Sequence, residues 1–111
     1  MERPPIDPAV FAELQATVGA DFIGELVQAF ADDAPGLLAA LREAHAAGAA
    51  EPFRRAAHSL KANGLTFGAW RLAEGARALE AGGLPADAAP LDALALAVDV
   101  ALAALRERTG D

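Results

Sequence analysis

The chain has 111 residues, no cysteine, 54% hydrophobic residues and a net charge of −7 from 16 acids and 9 bases. That length suits one domain and that apolar content supports a packed core, which excludes wholesale disorder, and without cysteine there is no disulfide framework, thiol nucleophile or cysteine-type zinc site. The acidic balance argues against a general nucleic-acid binder, and two histidines, His45 and His58, leave little for a His-rich metal site.

Alanine occurs 31 times, while Val, Ile, Thr and Tyr are scarce. Ala and Leu favour helix and the scarce types favour strand, so the chain reads as all-α. Asp7 is a good N-cap and Pro8 suits the first helical position, predicting a short helix with Val10, Phe11 and Leu14 that ends at Gly19. Asp21 is the expected cap of a second, longer helix whose apolar residues are Phe22, Ile23, Leu26, Val27, Phe30, Leu37, Leu38 and Leu41. Pro35 sits in its middle and removes one backbone bond, so this helix is expected to run kinked to residue 47, or to split near Ala31; Gly48 is the stop.

A third helix is predicted over 50–67, closing at Gly68, and a fourth over 69–81, closing at Gly82-Gly83. A loop over 82–90 leads to a last helix over 91–108, with Leu91, Leu94, Val98, Leu102 and Leu105 on one stripe. Four substantial helices with short joins predict an antiparallel up-down four-helix bundle, with the short additional N-terminal helix packed across one end. One domain is expected over 1–111, with residues 1–6 and 109–111 as flexible ends.

The most apolar stretch, 90–105, is interrupted by Asp92 and Asp99 and does not read as a membrane span. The first five residues carry no apolar run of signal-peptide type, so the expected location is the cytoplasm.

The third helix is the informative one. On a helical wheel turning about 100° per residue, Phe53, Ala56, Leu60 and Phe67 lie opposite His58, with Asn63 and Gly64 flanking them as packing residues. Arg54, Arg55, Lys61, Ala62 and Leu65 fall within about 60° of His58. The imidazole is therefore expected to face solvent within a basic rim. Residues 51–71 hold four bases and one acid, a charge of +3, whereas the rest of the chain carries −10. A confined positive field around a nucleophilic imidazole suits an anionic group such as phosphoryl.

Lys61 is the only lysine, among eight arginines, and lies three residues after His58 on the same helix face. Its flexible ammonium can follow a phosphoryl group on a neighbouring side chain. Ala57 and Ala62 are expected to keep the rim around His58 low, and Gly68 to free the helix end. A low rim admits another protein, where a metal or small substrate would call for a pocket.

Other groups read as structural. His45 lies in the last turn of the second helix, where it can bond terminal carbonyls and meet the helix dipole favourably. Asp32-Asp33 reads as a solvated pair, Trp70 as a packing anchor at a bundle end, and Gly82-Gly83 as a helix stop in a chain with no ATP-binding glycine loop. Ser59 points about 100° away from His58 and has no third partner, so no hydrolytic constellation is evident.

The string Ala57-His58-Ser59-Leu60-Lys61-Ala62-Asn63-Gly64, with Phe67-Gly68-Ala69, Leu72 and Leu79-Glu80 after it, resembles the histidine-containing phosphotransfer (HPt) domain. The family pattern sets a phosphorylated His, a Leu two later, a Lys three later, small residues, a Gly ten later and a Leu-Glu pair near the end of the next helix, and all are present. Ala62 stands where the family commonly has Gly, and Ala76 where it often has Cys.

The resemblance implies a four-helix phosphocarrier between receiver-domain aspartates, working with a hybrid sensor histidine kinase and a response regulator in two-component signal transduction. It implies His58 as phosphoacceptor and Lys61 as the neighbour that offsets the added charge, and it makes Gly68 the family glycine that closes the helix. Arg54, Arg55, Ala62, Leu65 and Gly68 are the expected receiver contacts. No cofactor or metal of the chain's own is expected; Mg2+ belongs in the partner receiver. Neither nucleic acid nor membrane is an expected partner, autonomous kinase activity is not expected, and the chain is expected to be a monomer. The alternative is a non-phosphorylated helical module that binds a receiver or kinase without chemistry.

Overall fold

The Asp7 side chain accepts a hydrogen bond from the Ala9 amide at 3.0 Å, and Pro8 supplies the fixed φ of a first helical residue. From this cap the computed structural model, which describes residues 3–110, runs through five helices, with no strand among the described residues: α1 (Pro8–Val18), α2 (Ala20–Ala47), α3 (Ala50–Phe67), α4 (Trp70–Gly82) and α5 (Ala89–Thr109). None of them is long and apolar enough to cross a membrane.

One expectation about α2 changes, and of the two readings at Pro35 the continuous helix holds. Gly19, at φ 92°, both ends α1 and caps α2, so Asp21 is not the cap; it lies exposed in the first turn, where its charge suits the helix dipole. The 28-residue helix runs unbroken through Pro35. Proline costs it one backbone bond on an exposed side, while buried Phe30, Ala34 and Leu41 keep both halves on one core. Phe22, expected among its apolar residues, is 47% exposed.

The helices pack as a ring: α2 on α3, α3 on α4, α4 on α5, and α5 back on α2, with α1 against α2 and α3. Phe53, Leu60, Leu41, Leu72, Leu91 and Leu105 are fully buried at its centre, and Phe30 stacks on Phe67 at 5.4 Å between centroids. Burying each such side chain is worth about 1.5–3 kcal/mol. Leu102 of the predicted α5 stripe is only partly buried, and Ala101 takes the core position beside it.

Close packing of α3 on α4 depends on Gly64. A Cβ there would sit 2.7 Å from the backbone nitrogen of Ala73, so only glycine lets the two backbones approach. Gly68 then ends α3 in the left-handed region at φ 73°, and the chain reverses into α4 within two residues.

The N-terminal segment departs from the flexible end expected over 1–6, of which residues 1 and 2 lie outside the described residues, as does residue 111. Ile6 is 1% exposed, the Asp7 amide donates to the Gly68 carbonyl at 2.8 Å, and Trp70 Nε1 donates to the Pro4 carbonyl at 2.8 Å. Trp70 is thus an anchor, as expected, and what it anchors is the start of the chain. At the other end α5 continues through Thr109, whose hydroxyl donates to the Arg106 carbonyl at 3.2 Å.

Candidate functional site

Helix α3 is amphipathic, with Phe53, Ala56, Leu60, Gly64 and Phe67 turned into the core. Their period leaves His58 on the outer wall, its side chain 58% exposed. The wheel prediction holds for the imidazole and for the stripe opposite it.

The structure adds a residue that sequence reasoning left without a role. Glu80, near the end of α4, sets one carboxylate oxygen 2.7 Å from His58 Nδ1 and the other 2.6 Å from Lys61 Nζ. One carboxylate thus joins the histidine to the lysine one turn further along α3. The hydrogen bonds from Lys61 and then His58 hold the Glu80 carboxyl below the usual carboxylate range, against a smaller opposing effect of burial.

The bond dictates the state of the ring. An ionised carboxylate can only accept, so Nδ1 carries the proton and donates it to Glu80. In the neutral imidazole the lone pair is then on Nε2, the nitrogen not engaged by Glu80. The site holds an oriented imidazole, with an ammonium anchored on the same carboxylate beside it.

A signal for Glu80 existed in the numbering. His58 lies ten residues before Gly68 and Glu80 twelve after it, so a hairpin folded at Gly68 brings them level. The Leu79-Glu80 pair was visible in the motif; its contact with His58 depends on the α3–α4 register.

The predicted rim divides. Arg54 and Arg55 are exposed beside His58, Ala62 is exposed and small, and Leu65 is 62% exposed. Arg54 is engaged by Glu51, which holds its guanidinium pKa above the ordinary value and is itself held low in return. Lys61 is partly buried and already paired with Glu80, so it is not a free cation. Two residues are corrected. Ala57 is fully buried and belongs to the core, so Ala62 alone keeps the rim low. Gly68 is buried rather than on the rim: α1 covers it, with Val10 Cβ 2.9 Å from where its Cβ would be.

The remaining groups fall elsewhere. His45 does not bond its own helix's carbonyls: its Nε2 donates to the Pro85 carbonyl at 2.9 Å, tying the α4–α5 loop to α2. Asp32 and Asp33 are exposed, and Asp32 accepts from Gln28 Nε2 at 2.9 Å. Gly83 caps α4 at φ 77°, in keeping with a helix stop at Gly82-Gly83. Among the described residues no three His, Cys, Asp or Glu side chains form a group that could hold a metal ion.

Comparison with known proteins bears on this arrangement. No curated protein matches the chain, and no solved structure does. The family model for the Hpt domain matches residues 25–107, which takes in most of the chain: all of α3 and α4 and most of α2 and α5. The chain therefore belongs to the Hpt domain family, whose members are phosphocarriers that interact with receiver domains and kinases in two-component phosphorelays.

Proposed function

We propose that the chain accepts a phosphoryl group on His58 Nε2 from the phosphoaspartate of one receiver domain and passes it to an aspartate of another. The observation that carries this reading is the 2.7 Å bond from His58 Nδ1 to Glu80 on an otherwise exposed ring. In the forward step the Nε2 lone pair attacks phosphorus in line, an N–P bond forms, the bond from phosphorus to the aspartyl oxygen breaks, and aspartate leaves as a carboxylate. With Nδ1 still protonated the phosphorylated ring gains positive charge, which Glu80 offsets. The reverse displacement loads the second receiver.

Lys61 supplies positive charge one turn from His58, against a phosphoryl group of about −2. Arg54, Arg55, Ala62 and Leu65 form the rim that meets the receiver. Both oxygens of Glu80 are engaged by the chain's own cation and N–H, so Mg2+ and its acid pocket belong to the receiver in this reading. The scaffold is an antiparallel up-down bundle of α2 to α5 with α1 as an extra helix. Supporting it are paired contacts of opposite order: His58 with Glu80 and Gly64 with Ala73 between α3 and α4, and Phe30 with Phe67 and His45 with Phe53 between α2 and α3. The proposed setting is the cytoplasm, as a monomer without kinase activity of its own.

The test is phosphotransfer with purified protein. ATP alone should leave the chain unlabelled, and a phosphorylated receiver should give an acid-labile phosphate that His58→Gln abolishes. Label persisting in His58→Gln overturns the assignment, and no label from any receiver favours a binding module without chemistry.

A further inference from the structure

We draw no further inference here: the strongest candidate, the apolar groove of about 570 Å³ between α4 and α5 with Leu96 and Val100 exposed among its lining residues, carries nothing because nothing in the structure shows what covers it.

Discussion

Gly64 of α3 and Ala73 of α4 are in backbone contact: a Cβ on Gly64 would lie 2.7 Å from the Ala73 nitrogen and 2.9 Å from its Cα. That contact fixes the spacing at which Glu80 reaches both His58 and Lys61. Backbone atoms cannot swing aside as a flexible side chain can, so any larger residue must part the helices. Gly64→Val should destabilise the fold by about 1–3 kcal/mol, the usual cost of overpacking. It should also slow phosphotransfer beyond what partial unfolding explains. Denaturant titration and transfer assays at a temperature where the variant is folded check the two effects separately.

In the proposed reaction Glu80 acts through His58, as a positioning residue. Glu80→Ala frees the ring to choose its tautomer; the comparable partners that orient metal-bound histidines are worth about 10–100-fold. A fall in transfer rate of about tenfold is expected, at the lower end because this ring is exposed. Nitrogen NMR of the imidazole should show Nδ1 protonated in wild type and a tautomer mixture in the variant. An unchanged spectrum would remove Glu80 from the role.

The same carboxylate sets an acid-side stability edge. Its folded-state pKa is depressed by Lys61 and His58, so its contribution is fully present above the unfolded value of about 4.3 and is lost as pH falls through the folded value. The stability difference between wild type and Glu80→Gln should be present at pH 7 and should shrink as pH falls below about 4.3, where the carboxylate becomes protonated. Thermal melts across that range measure it.

Core and surface should separate cleanly on α3. Phe53 is fully buried, and Phe53→Ala should cost about 3–5 kcal/mol. His58→Gln replaces an exposed side chain and should change stability by no more than about 0.5 kcal/mol while abolishing transfer. A large loss of stability in His58→Gln would mean the ring holds the bundle together.

Much of this was legible from local pattern. Asp7 followed by Pro8, and the glycines at 19, 48 and 68, mark helix ends because caps and left-handed stops depend on a few neighbouring residues. The split between Phe53, Leu60 and Phe67 inside and His58 outside follows from the helical period, which is also local. Where a residue's role depended on another helix, local pattern failed. Ala57 looked like rim and is core, and Gly68 looked accessible and is covered by α1.

The sequence by itself determined the helices, the outward histidine and the lysine one turn away, because each needs only the spacing of residues along one helix. The tertiary structure alone decided that Glu80 joins the two, that Lys61 is already paired, and that Trp70 anchors the segment at Pro4. Those facts depend on which backbones can touch, and a contact such as Gly64 against Ala73 is a property of two helices packed together.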